Sequence, residues 1–255
     1  MTPVTKRAQA NLIMAKTIAI IGAGPGVGLS IARRFGKEGF QVALVGRNLD
    51  NVKQLVTTLE QEGLTAQAFQ ADVMDRQGLI QAIQAIINTF GSIDVVEYGP
   101  SPSLATMRTV AALDVDSVQE QFSFSVLGAV TAVQAVLPAM QAKKEGALLF
   151  TTAISAQNPV NMTANFGIAA GAQRNYVRLL HDNLKADNIF AGIVSIAALV
   201  VPEGVDSEQF KAQFPAGVPL VTPDAVADQH WSLYANRAQC EGSVGDAEKA
   251  LRAFK

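Results

Sequence analysis

Hydrophobic and polar positions change rhythm repeatedly along this chain. KTIAIIG (16–22) is a short Ile-rich run ending in glycine, the mark of a parallel strand buried on both faces. VGLSIARRFGKEG (27–39) then carries its apolar residues at helical spacing and stops at Gly39. QVALVG (41–46) reads as a second buried strand, and LDNVKQLVTTLEQEG (49–63) as an amphipathic helix closed by glycine. TAQAFQAD (65–72) alternates like a strand, RQGLIQAIQAIINTFG (76–91) is a third helix and SIDVVEYG (92–99) a fourth strand. The spacing predicts a long helix over 116–142 with Pro138 near its end, and then a fifth strand, GALLFTT (146–152). A second long helix over 163–185 and a sixth strand, NIFAGIVSI (188–196), follow. Beyond residue 197 the pattern weakens to one helix, PDAVADQHWSLYANR (223–237), with any seventh strand past it left open.

Strand and helix alternate throughout. That order implies an α/β fold of Rossmann type, a doubly wound parallel sheet with right-handed crossovers and helices on both faces. No linker, repeat or low-complexity tract interrupts it, so the expectation is a single domain over 14–255. Residues 1–13, MTPVTKRAQANLI, read as a loose N-terminal extension without the apolar stretch of a signal peptide.

Composition narrows the choice of function. The formal charge of −2 offers no basic field for nucleic acid or an anionic membrane, and no stretch reads as long and apolar enough to span a bilayer. The pair Lys143–Lys144 reads as a solvated helix end. Cys240 is the only cysteine, which rules out an intrachain disulfide and fits a reducing cytoplasm. His181 and His230 are the only histidines, and no group has metal-ligand spacing.

The first turn, IGAGPGVGLS (21–30), stands between a strand and a helix, the setting that gives a glycine-rich motif meaning. Gly22 permits a sharp exit from the strand, Gly26 a close approach of backbone to a pyrophosphate, and Gly28 tight packing of helix on sheet. Gly24 and Val27 complete the turn. The helix N-terminus then offers N–H groups and a partial positive charge to phosphates.

The spacing Gly-x-x-x-Gly-x-Gly, with the chain's length and strand order, resembles the short-chain dehydrogenase/reductase family over roughly residues 16–237. The resemblance implies a dinucleotide cofactor. Where an NAD-preferring relative carries a carboxylate after the second strand, this chain has Gly46 followed by Arg47 and Asn48. A guanidinium without a carboxylate implies NADP(H), preferred over NAD(H). Asp72 and Val73 match the family pair that holds the adenine ring. Tyr98 and Gly99 match the start of its Asn-Asn-Ala-Gly run, which here reads Tyr98-Gly99-Pro100-Ser101. Tyr98 is expected to act as an aromatic lid over the crevice. By the same resemblance, the helices at 116–142 and 163–185 suit a homodimer or homotetramer.

The resemblance also locates an absence. The family's reaction passes hydride between nicotinamide and a carbonyl or alcohol carbon while a Tyr, aided by Lys, Ser and Asn, moves the proton. Here the Ser position is Ala153, the Tyr position Phe166, the Lys position Ala170 and the Asn position Ser125. The family's Pro-Gly after the sixth strand is Ile196-Ala197. The expectation is therefore an NADP(H)-binding or sensing module with little standard dehydrogenase activity. The alternative is an NADPH-dependent oxidoreductase acting on a carbonyl or related small molecule through a substitute donor, for which Tyr98, Ser125, Thr152 and Ser155 are the candidates; Tyr176, ten residues past Phe166, turns to a different face and has no Lys at position 180.

Overall fold

The computed structural model describes residues 15–254, and the extension expected over residues 1–13 lies outside them. The chain runs β1 (Thr17–Ile21), α1 (Val27–Lys37), β2 (Gln41–Gly46), α2 (Leu49–Gln61), β3 (Ala66–Gln70), α3 (Arg76–Phe90) and β4 (Val95–Tyr98). It continues through α4 (Val115–Phe122), α5 (Gly128–Lys143), β5 (Gly146–Ala153), α6 (Ala164–Asn183) and β6 (Ile189–Ala197). A small pair, β7 (Leu199–Val200) and β8 (Leu220–Val221), brackets α7 (Ser207–Lys211). The chain then forms α8 (Pro223–Asn236), β9 (Glu241–Gly245) and α9 (Ala247–Ala253).

Seven strands make one parallel sheet in the order β3-β2-β1-β4-β5-β6-β9. Strand alternation sends residues to two cores. Ala19, Ile21, Val96, Leu148 and Phe150 face α3, α5 and α6 through Leu79, Ile83, Val133 and Val177. Ile18, Ile20, Leu44, Val95 and Leu149 face α1, α2 and α8 through Phe35, Leu59, Val226 and Leu233. The chain winds outward from β1 to β3 and then returns to β4 on the other side. This opens a crevice at the carboxyl ends of β1 and β4, where such sheets bind ligands.

The helix expected over 116–142 is broken in register. Between α4 and α5, residues Ser123–Leu127 form a π turn, with the Gly128 N–H donating to Ser123 O five residues back. Two neighbouring carbonyls of this turn find side-chain donors: Phe124 O accepts from the Tyr98 hydroxyl at 2.5 Å and Ser125 O from Gln173 Nε2 at 2.8 Å. Helical residues Val115–Lys143 do have the length and apolarity of a bilayer span, at mean hydropathy 1.6, contrary to the expectation from sequence. They pack against α3 and α6, with Ala129, Val133, Val136 and Met140 buried in the core. Lys143 and Lys144 are exposed at the helix end, as expected, and also make ion pairs. They pair with Asp94 and Asp187 and fasten the start of β5 to its neighbours.

Candidate cofactor site at the β1–β4 crevice

The turn after β1 is shaped by close approach. Gly22 takes φ +95°, and its N–H and that of Ala23 both donate to Val45 O at 2.9 Å. A Cβ on Gly22 would collide with Pro100, so glycine lets the first turn meet the loop after β4. Gly24 and Gly26 have nothing within 4 Å where a Cβ would stand, an open cradle at the head of α1. At Gly28 a Cβ would instead stand 3.1 Å from Ala23 Cα, so glycine permits the close approach there.

The N-terminus of α1, from Gly26 through Val27, has no side-chain cap and no acidic residue in its first turn. By contrast α2, α3 and α8 are capped by Asn48, Asp75 and Thr222. Open N–H groups beside an open glycine cradle suit an anion. A crevice of about 150 Å³ beside it is lined by Gly22, Ala23, Arg47, Val73, Pro100 and Phe124, among others. A wider hollow of about 660 Å³ adjoins it, lined by Arg47, Asn48, Leu49, Asp50 and Gln70. A dinucleotide fits this donor set.

Arg47 is exposed in both hollows and makes no ion pair among the described residues. A Cβ on Gly46 would stand 2.7 Å from Val52 Cγ2, so a larger residue there would have to push aside the Val52 side chain of α2. Asn48 borders the hollow, but its side-chain oxygen already accepts from the Asn51 N–H at 3.0 Å and caps α2. Asp72 is not the N-cap of α3, a place taken by Asp75; its Oδ1 accepts from the Met74 N–H at 2.9 Å. Val73 is buried and lines the crevice wall. Gly99 holds the end of β4 through its N–H to Ile21 O at 3.0 Å.

Tyr98 corrects the expectation of a lid. It points away from the crevice into the core beside Phe150, is 1% exposed, and gives its hydroxyl to Phe124 O. Burial and the nearby Asp72 carboxylate push its pKa up, and its one hydroxyl hydrogen is already given to Phe124 O. Tyr176 is half-buried, and burial pushes it up to about 12.

At the far end of the crevice α6 lies on the turn Ile154–Ala156. A Cβ on Gly167 would stand 3.4 Å from Ser155 O, and one on Gly171 3.7 Å from Ala156 O, so the small residues of α6 serve close packing within the chain. Ala153 ends β5, Phe166 is half-buried near the start of α6, and Ala170 is fully buried one turn on. Thr152 and Ser155 are buried there with hydroxyls that have no partner among the described residues. Asn165 staples the preceding loop by accepting from the Arg108 N–H and donating to Thr106 O, both at 2.9 Å.

One cluster is not anticipated by the sequence patterns. Glu97 on β4 and His230 on α8 are buried at 1% and 0% exposure, and Thr151 on β5 joins them. Its Oγ1 is 2.6 Å from Glu97 Oε1 and 2.9 Å from His230 Nε2. Burial pushes the Glu97 carboxyl up to about 8 despite the Thr151 hydrogen bond, and pushes His230 down to about 3. The signals that could have found it are a Glu inside the apolar run DVVEY and a His on the apolar face of α8.

The short chain dehydrogenase family model matches residues 16–213. An uncharacterised oxidoreductase of Staphylococcus epidermidis is 24% identical over 193 residues, 75% of this chain and 82% of that one. One from Listeria monocytogenes is 21% identical over 201 residues, 76% and 80% of the two chains. Among solved structures, L-sorbose reductase from Gluconobacter frateurii, complexed with NADPH and L-sorbose, superposes with TM-score 0.79 at 20% identity, covering 91% of this chain and 95% of that one. Acetoin dehydrogenase from Enterobacter cloacae gives 0.81 at 18% identity, covering 96% and 100%. With the glycine turn, the sheet order and this match over most of its length, the chain belongs to the short-chain dehydrogenase family.

Proposed function

We propose that this chain binds NADP(H) in the β1–β4 crevice and acts as a cofactor-binding or sensing module with little of its family's usual dehydrogenase activity. The support for this reading is the trio Ala153, Phe166 and Ala170 on β5 and α6, the positions to which the family motif carries its Ser, Tyr and Lys. Bound cofactor supplies or accepts hydride. The accompanying proton needs a positioned side chain, a contribution worth about 10²–10⁴ in rate. A methyl group and a phenyl ring cannot hold that proton, and the relay position on the π turn is held by Gln173 through Ser125 O.

In this reading the open cradle of Gly24 and Gly26 with the uncapped head of α1 takes the pyrophosphate. Arg47 takes the 2′-phosphate, and Val73 walls the adenine. The neighbour with bound NADPH supports the choice of cofactor. A homodimer or homotetramer in the cytoplasm completes the proposal, supported by the exposed apolar side chains Val115, Ile168 and Leu179 on α4 and α6.

The test pairs calorimetry with turnover. Binding of NADPH without steady oxidation across a panel of ketones, aldehydes and quinones is the expected result. Sustained turnover overturns it in favour of the second reading, an oxidoreductase with a substitute donor. That second reading draws its support from the unpartnered hydroxyls of Thr152 and Ser155 at the end of β5.

A further inference from the structure

The Glu97–Thr151–His230 chain sits on the face of the sheet shared with α1 and α8 and reaches upward at the carboxyl ends of β4 and β5. A Cβ on Gly99 would collide with Glu97 Oε1 and stand 3.0 Å from Thr151 Oγ1. Glu97 and His230 are closed off, whereas Thr151 is partly exposed. The hydroxyl is thus the partly exposed member of the chain, joining a buried acid to a buried imidazole at the carboxyl end of β5.

Hydrogen counting gives the chain two states. The Thr151 hydroxyl has one hydrogen and two close partners. When it donates to His230 Nε2, the contact with Glu97 needs the carboxylic acid as donor. When it donates to Glu97, the carboxylate is satisfied and His230 must supply its Nε2–H. His230 Nδ1 has no partner in either case among the described residues. No other charge faces the cluster among the described residues. Ile20 of β1, Leu149 of β5, Val194 of β6 and Leu29 of α1 are apolar, and Arg33, Arg34, Asp224 and Asp228 of α1 and α8 lie outward. A buried acid and imidazole in an apolar core are expensive to keep, which points to use.

In the cofactor reading, adenosine at Arg47 and pyrophosphate at α1 would leave the remaining half of a dinucleotide to extend past β1 toward the carboxyl ends of β4 and β5. We propose that Glu97, through Thr151 and His230, makes this site distinguish oxidised from reduced cofactor in a pH-dependent way, the carboxylate favouring the cationic ring of NADP⁺ and the carboxylic acid the neutral ring of NADPH. This rests on the cofactor reading above. Linkage fixes the sign: affinity for NADP⁺ relative to NADPH rises as pH rises through the carboxyl's titration near 8. If the two ligands displace that titration by about one pH unit relative to each other, the relative affinity changes about tenfold.

The experiment measures both dissociation constants calorimetrically from pH 6.5 to 9.5. The 2′-phosphate is common to the two ligands and cancels in their ratio. In the wild type the ratio is expected to move roughly tenfold toward NADP⁺. In Glu97→Gln, which keeps an acceptor oxygen for Thr151, it is expected to be flat. Thr151→Val removes the bond that favours the carboxylate and is expected to move the transition to higher pH. A difference infrared spectrum gives a cofactor-free check: a carboxylic acid C=O band at neutral pH in the wild type, absent from Glu97→Gln. A flat wild-type ratio, an undiminished slope in Glu97→Gln or a missing acid band overturns the proposal. An acid band with no binding of either cofactor instead removes the cofactor reading, and the redox discrimination with it.

Discussion

The Tyr98 phenol and the Phe124 carbonyl meet at 2.5 Å across the gap between β4 and the π turn. A π turn shifts one carbonyl out of the helical ladder, and here a buried hydroxyl takes it. Gly128 completes the arrangement, because a Cβ there would collide with that hydroxyl. Tyr98→Phe leaves the carbonyl unsatisfied and is expected to lower stability by about 1–3 kcal/mol. Denaturant unfolding measures it, with NADPH affinity expected to be nearly unchanged. A large affinity loss without a stability loss would restore Tyr98 to the crevice.

That pair also shows where sequence stops being informative. Period-2 and period-3.6 patterns located β1 to β6 and α1 to α3 to within a few residues, because each buries one stripe or both faces. The glycine turn was legible because its spacing and its strand–helix setting coincide. Tyr98 was not: its partner lies 26 positions away, and a terminal strand residue reads equally well as pointing up into a crevice or sideways into a core. The π turn is invisible to a helical pattern of Ala and Val. Asn48 has cap chemistry that sequence can suggest, yet it also borders the hollow. Glu97 and His230 are 133 residues apart by number and become neighbours only through the β4–β5 pairing and the docking of α8.

Arg47 is the proposed reader of the 2′-phosphate. A partly exposed charge-assisted pair gives about 1–3 kcal/mol of discrimination, so Arg47→Ala is expected to weaken NADP(H) by roughly ten- to hundredfold. NAD(H) affinity should hardly move. Calorimetry on both ligands checks this, and equal affinity for the two in the wild type would sink the assignment.

Stability against pH is a second readout of the buried acid and imidazole. His230, held near 3 in the fold against 6.5 ordinarily, makes the unfolded chain bind the extra proton between those values, so stability rises with pH there. Glu97, held near 8 against 4.5, makes the folded chain bind it, so stability falls with pH between those values. The slopes oppose each other from about 4.5 to 6.5, and the sum is a plateau flanked by a rise below it and a fall above it. The fall between pH 6.5 and 8 should amount to about 1–2 kcal/mol. Glu97→Gln should abolish that fall and leave the acid limb. Thermal unfolding over pH 4–9 reads it, and an unchanged fall in the variant would assign it to other groups.

The proposed homo-oligomer draws its support from two pairs of exposed apolar side chains. Val115 and Phe122 are seven residues apart on α4, Ile168 and Leu179 eleven apart on α6, and both offsets return to nearly the same helix face. The two helices pack on each other. Sedimentation at micromolar concentration is expected to show a dimer or tetramer, and Ile168→Glu to shift it toward smaller species. A wild-type monomer counts against the interface.

The empty positions on β5 and α6 make the strongest test of the proposed function. If Ala153, Phe166 and Ala170 keep the backbone geometry of the family's Ser, Tyr and Lys, installing all three side chains should return some NADPH-dependent carbonyl reduction. Single changes should return almost none, because donor, activator and orienting group act as a unit. Phe166→Tyr is the mild step, since the ring is already half-buried in place. Ala153→Ser adds one small hydroxyl at a partly exposed position and should be tolerated. Ala170→Lys is the severe one. Its site is closed by protein on every side, at 0% exposure, and an ammonium needs water or partners. Gln173, one turn on, already donates to Ser125 O on the π turn, so that carbonyl is taken. The rescue is therefore expected to be weak and accompanied by lost stability, read by NADPH oxidation against ketones and quinones with folding followed by circular dichroism. A folded, cofactor-binding triple variant that stays inert would show that the cleft has changed shape beyond the three side chains, and vigorous turnover in the wild type would show that other groups move the proton.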